Sequence, residues 1–209
     1  MSRRSLYLII ALSVLAAFVL ISLDQRSAQN GMPAQSLAGI GSGDFEKYHS
    51  RTFTVVNVVD GDTLDIGISD GKYERTRIRL WGVDTSETKD PNPKVCQLAR
   101  QACEFTEKLV LGKEVHVYLD AERTRGKYGR LLAYVQLPDE RFLNEVLVSQ
   151  GYAFADLRFR HNFFQKYQQL EAAARAQKKG FWKNVTREQL PQWLQKAKPK
   201  LLRKKQSAK

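Results

Sequence analysis

Three carboxylates and two arginines stand at spacings that suit chemistry at phosphorus. Asp62 lies in Asp60-Gly61-Asp62-Thr63, and Arg79, Asp84 and Glu87 share the run Arg79-Leu80-Trp81-Gly82-Val83-Asp84-Thr85-Ser86-Glu87. Arg130 closes a third motif, Lys127-Tyr128-Gly129-Arg130. Carboxylates hold a hard divalent cation, and paired guanidiniums clamp a phosphate in two-toothed fashion. Together they point to hydrolysis of a phosphodiester. Two aspartates plus a backbone carbonyl would make a water-rich cation site. A carboxylate just outside it, Glu87, is placed to orient or deprotonate the attacking water. Arg79 and Arg130 would then neutralise the charge that develops on a five-coordinate phosphorus. Taken singly, each feature has a plainer reading. Asp-Gly-Asp-Thr is ordinary hairpin chemistry, and an isolated arginine is most often a surface ion pair.

These side chains need a scaffold that brings separate motifs together. Residues 52–59 are β-branched and aromatic, and read as a strand. Asp60-Gly61 is a turn, residues 63–68 alternate as a second strand, Asp70-Gly71 turns again, and residues 73–81 alternate as a third. In such a meander the third strand returns beside the second, so Asp62 and Asp84 meet at neighbouring strand ends. Helical spacing follows over residues 97–111, closed by Gly112. Strands are expected at residues 114–119 and 130–137, and helices over 142–150 and 162–179, stopped by Gly151 and Gly180. The aromatic-rich stretch of Tyr152, Phe154, Phe159, Phe163 and Phe164 reads as packing between helix and sheet. The fold class expected is α+β, mainly β. Five strands in a three-plus-two order with about three helices make the five-stranded OB-fold barrel the leading architecture.

The chain has 209 residues and a formal charge of +12, which suggests a polyanionic partner. The distribution is lopsided. From residue 175 onward there are twelve Lys or Arg against one acid, Glu188, so +11 of the +12 lies there and the body is nearly neutral. Residues 185–209 therefore read as a basic C-terminal tail. It would add salt-sensitive affinity for nucleic acid or anionic lipid and contribute nothing to the chemistry. At the other end, Ser2-Arg3-Arg4 precedes an apolar run over residues 7–23, broken only by two serines. Seventeen helical residues rise about 25 Å, which suits a signal-peptide core or a short membrane anchor. Residues 1–24 are thus read as signal anchor or signal peptide, residues 25–50 as a flexible linker, and residues 51–184 as the folded domain. Either membrane route places the domain outside the cytoplasm, anchored or secreted. Cys96 and Cys103 are too far apart on one helix to bridge. Monomer is the default.

In combination and order, the three motifs resemble those of the staphylococcal nuclease (thermonuclease) family. The likeness runs on through Leu143-Asn144-Glu145, Leu147-Val148 and Gln150-Gly151 to Gly180-Phe181-Trp182, so it spans residues 52–182. The resemblance implies an OB-fold barrel with three helices that cleaves DNA and RNA using Ca²⁺. It assigns the metal to Asp62, Asp84 and the Thr85 carbonyl, and water activation to Glu87. Phosphate clamping falls on Arg79 and Arg130, and nucleotide contacts on Lys127 and Tyr128. Ser86 stands where the family usually has proline, and Leu157 and Phe159 fall where tyrosines flank the base. The alternative is an OB-fold module that grips nucleic acid, tethered to the membrane, without cutting it. Such degenerate members usually lose an acid or an arginine, and here Asp62, Arg79, Asp84, Glu87 and Arg130 are all present.

Overall fold

A computed structural model describes residues 43–202. The signal or anchor segment, most of the linker and the last basic residues lie outside this range. The order is α1 (Gly43–Tyr48), β1 (Arg51–Asp60), β2 (Thr63–Ile66), β3 (Thr76–Leu80), β4 (Val83–Asp84), α2 (Pro93–Val110), β5 (Glu114–Leu119) and β6 (Leu131–Gln136). Then come α3 (Leu143–Ser149), β7 (Phe154–Ala155), α4 (Phe164–Ala176), two 3₁₀ turns (Gly180–Lys183 and Arg187–Gln189) and α5 (Gln192–Ala197).

Five strands close into a barrel in the order β1-β2-β3-β6-β5, with β5 returning to β1. Four of the seams are antiparallel, and β3 runs parallel to β6. This is the expected five-stranded OB-type barrel. β1 serves two neighbours because it bends: register shifts between Val55 and Asn57 and between Val58 and Asp60 carry its first half along β5 and its second half along β2. Val55, Leu64, Ile66, Ile78, Leu80, Val117, Leu131 and Val135 are buried in the core.

The helices fasten the rims. α2 begins four residues before the periodic stretch, because Asn92 caps it by accepting from the Lys94 N–H and Pro93 fits the first turn. Its buried face, Val95, Ala99, Ala102, Thr106 and Val110, lies against the barrel. Gly61 is the point of closest approach: a Cβ there would stand 2.6 Å from the Ala102 Cβ. Thr106 Oγ1 also donates to the Gly61 carbonyl at 2.8 Å. The turn that presents Asp62 is thereby held flush on a helix. On α3, the fully buried Asn144 accepts from the Val135 N–H and donates to the carbonyls of Trp81 and Ala133. It pins the end of β3 to β6.

Both domain edges extend further than the sequence suggests. Residues 43–50, assigned to the linker, include α1, whose Tyr48 is fully buried with its hydroxyl 3.0 Å from Thr76 Oγ1. Asp44 pairs with Arg125, which also reaches Asp70. Residues 185–202, assigned to the basic tail, are folded as well. Leu190 and Leu194 join Phe154, Ala174, Phe181 and Trp182 in a second apolar cluster. The described chain therefore has five α-helices where about three were expected. A segment can carry many lysines and still bury a face; average charge hides a narrow apolar stripe. Of the aromatic stretch, Phe154 and Phe163 are buried as expected, whereas Phe159 is exposed and stacks on Trp81.

Candidate active site

The site is built where the β1–β2 turn meets the end of β3. Thr63 pairs with Arg79 in the ladder, and the Leu80 N–H donates to the Asp62 carbonyl at 2.8 Å. Asp62 and Arg79 are brought together by that register alone. β4 pairs with β7 through Asp84 and Phe154, which holds Asp84 beside the same arginine.

Arg79 stands between the two aspartates, its side chain 12% exposed. It lies 2.8 Å from Asp62 Oδ2 and donates to Asp84 Oδ1 at 2.6 Å and to the Val83 carbonyl at 2.7 Å. Burial opposes its charge, but Asp62, Asp84, Asp156 and Asp60 outweigh that and raise its pKa. Asp62 also accepts from the Thr85 N–H at 2.7 Å and from the Thr63 hydroxyl at 3.0 Å. Arg130 donates to that hydroxyl at 3.4 Å, so it borders the cluster through Thr63.

The acids outnumber what this arginine can balance. Burial, then the proximity of Asp62, pushes the Asp60 carboxyl up to about 7. Burial likewise pushes Asp84 up to about 6, against the pull of Arg79. Both shifts come first from burial, which disfavours the charged form of a carboxyl. Glu87, Lys127 and Tyr128 differ in kind. They sit on exposed loops, Tyr128 being 76% exposed with the Lys127 ammonium 5.5 Å from its ring centre. The structure thus gathers Asp62, Arg79, Asp84 and Thr85 into one hydrogen-bonded knot with Arg130 at its edge, and leaves Glu87, Lys127 and Tyr128 open to solvent.

A family model described as staphylococcal nuclease homologue matches residues 77–184. The thermonuclease of Staphylococcus hyicus is 34% identical over 172 residues, which cover 82% of this chain and 94% of that protein. The chain belongs to the staphylococcal nuclease family. The thermonuclease of Staphylococcus intermedius is 42% identical over 119 residues, 55% of this chain and 68% of that protein. Endonuclease YncB of Bacillus subtilis (strain 168) is 33% identical over 131 residues, 62% of this chain and 60% of that protein.

For a staphylococcal nuclease, the neighbours of Asp84 are the features that sequence reasoning missed. Arg158 donates to Asp84 Oδ1 at 2.9 Å and to Asp156 Oδ2 at 2.8 Å. Trp193 of α5 donates its indole N–H to Asp84 Oδ2 at 2.8 Å, and the Arg158 guanidinium lies 4.9 Å from the centre of its ring. The one available signal was the spacing of Leu190, Trp193 and Leu194 inside a lysine-rich stretch.

Among the described residues, no three His, Cys, Asp or Glu side chains converge as a ready-made metal cage. The Asp62 and Asp84 carboxylates, both paired with Arg79, form a smaller set, all of it oxygen. Oxygen donors alone fit a hard divalent cation that takes its remaining ligands from water.

Proposed function

We propose that this chain, a phosphodiester-hydrolysing nuclease by its family, is a Ca²⁺-dependent enzyme acting on DNA, RNA or both. The observation that carries this reading is the knot itself. Two aspartates from separate strand ends, Asp62 buried and Asp84 partly so, share one arginine, and a second arginine stands at the rim. Asp62, Asp84 and the Thr85 carbonyl would hold the ion, which supplies positive charge next to the scissile phosphate. Glu87, on its exposed loop, is the base that receives a proton from the attacking water. Arg130, held to the cluster by a long hydrogen bond to Thr63, donates to the phosphate oxygens as charge builds there. Arg79 pairs with the two aspartates and the Val83 carbonyl; a cation sharing the charge of the aspartates would leave donors of its fork for the phosphate as well. Lys127 and Tyr128 are exposed where they can follow a nucleotide.

Sequence supports placing the enzyme outside the cytoplasm: Arg3 and Arg4 flank the apolar run over residues 7–23. Anchor or cleaved signal is settled by the N-terminus of the mature chain, which begins near residues 25–30 if a signal is removed.

The function is tested by measuring acid-soluble fragments released from DNA and from RNA with Ca²⁺, with chelator and with Asp62→Ala. Cleavage should require the ion and fall in Asp62→Ala, partly restored by excess Ca²⁺. Cleavage indifferent to chelator would exclude this assignment.

A further inference from the structure

The family match ends at residue 184, yet the chain goes on to touch a proposed metal ligand. The contact is built rather than incidental. Thr186 and Gln189 form a reciprocal capping box that starts the segment. Leu190 and Leu194 are buried in the second apolar cluster. Lys198 reaches the fully buried Glu171 at 2.8 Å, and Arg187 donates to the carbonyls of Gln195 and Leu201. Several independent fastenings therefore fix the face that α5 presents, and Trp193 projects from it onto Asp84.

The chemistry of the donors separates their roles. Asp84 Oδ1 accepts from two guanidiniums, Arg79 and Arg158, which occupy both its lone pairs. Among the described residues, Oδ2 accepts only from the indole. An indole N–H is a neutral donor on a rigid ring, so it fixes the direction of the carboxylate without cancelling its charge. One lone pair of Oδ2 is left for a cation.

We propose that Trp193 is a positioning residue for Asp84, and that residues 185–202 belong to the working nuclease. This rests on the reading of Asp84 as a cation ligand. Trp193 holds the Oδ2 edge of the carboxylate in place, and Arg158 braces both partners by pairing with Asp84 and covering the indole. Hydrogen-bond partners of metal ligands typically contribute 10- to 100-fold in metal affinity.

The test uses the full chain and Trp193→Phe, which keeps an aromatic ring beneath Arg158 and loses only the donor. Ca²⁺ binding is measured by calorimetry without nucleic acid, alongside the thermal midpoint in chelator and kcat and KM on DNA. Trp193→Phe should bind Ca²⁺ about 10-fold or more weakly. Its midpoint in chelator should stay near that of the parent, and its lost activity should return at high Ca²⁺. In the parent, the Trp193 indole proton resonance should move on Ca²⁺ addition and in Asp84→Asn. A folded Trp193→Phe that binds Ca²⁺ within twofold of a Ca²⁺-binding parent overturns the inference and leaves the metal reading standing. So does an indole resonance unmoved by either change. A parent that binds no Ca²⁺ overturns the metal reading, and this inference with it.

Discussion

The two halves of the site are held in opposite ways. Asp62, Arg79 and Asp84 lie in the angle between two strand ends, with their polar atoms engaged by backbone, by one another and by Thr63, Arg158 and Trp193. Lys127, Tyr128 and Glu87 stand on loops, in solvent. The first group must keep like charges close together, which a barrel rim can enforce and a loop cannot. The second has to meet a polymer of changing shape, so it costs the fold little to leave it loose. In the buried half, then, stability and chemistry are the same problem; in the exposed half they separate.

The largest effect should come from breaking the buried half at its centre. Arg79→Ala leaves the buried Asp62 without its ion-pair partner and Asp84 with Arg158 alone, and is expected to cost about 3–5 kcal/mol, read from denaturant unfolding in chelator, with Ca²⁺ restoring part of it. If stability is unchanged, the contrast between the halves is wrong. The exposed half should show the converse. Glu87→Gln is expected to slow turnover by about 10²–10⁴-fold while the unfolding curve stays put. Arg130→Ala at the boundary should lose about 10²-fold. A variant of either kind that unfolds early would place its residue with the buried group.

A subtler difference appears in acid. His161 packs under Gly82, whose φ of +79° lets the chain turn from Arg79 towards Asp84; a Cβ on Gly82 would lie 2.3 Å from the imidazole. Burial lowers the His161 pKa to about 4, against the pull of Asp120 and Asp156. The folded chain thus keeps this histidine neutral, while the unfolded chain protonates near 6.5. Its contribution is complete above about pH 6.5 and drains away as pH falls towards 4. His161→Gln should flatten the decline of the thermal midpoint over that interval; an equally steep decline would exclude His161 as its source.

The smallest effect should follow removal of residues 203–209, which carry Arg203, Lys204, Lys205 and Lys209. On duplex DNA, each lost phosphate contact should reduce the log–log salt slope by about 0.9, with turnover unchanged. Truncation after residue 185 is a different experiment, because it also removes Leu190, Trp193, Leu194 and Lys198. The comparison between these two truncations shows where the catalytic body ends and the charged tail begins.

Much of this was legible beforehand, and the reason is local. Turn residues and period-two alternation brought the third strand back beside the second, which put Asp62 and Asp84 at neighbouring strand ends; the register of Thr63 with Arg79 came from the structure. The parts that escaped depend on contacts that leave no local pattern. Arg158 looked like one surface arginine among many, and its pairing with Asp156 and Asp84 exists only because β7 lies against β4. Trp193 was masked by surrounding lysines. α1 was hidden in a stretch composed like a linker, and Asp44 gains its meaning from Thr124 and Arg125, 80 and 81 positions away.

The bond between Trp193 and Asp84 also sets an order in time. It joins positions 109 apart. At synthesis rates of about 5–20 residues per second, Asp84 leaves the ribosome roughly 5–20 s before its indole partner exists. The parallel seam of β3 with β6, Ile78 to Leu131, likewise waits for the middle of the chain. Until then the acids and arginines lack the frame that gathers them. The surroundings of Asp84 are completed only once Trp193 has been made.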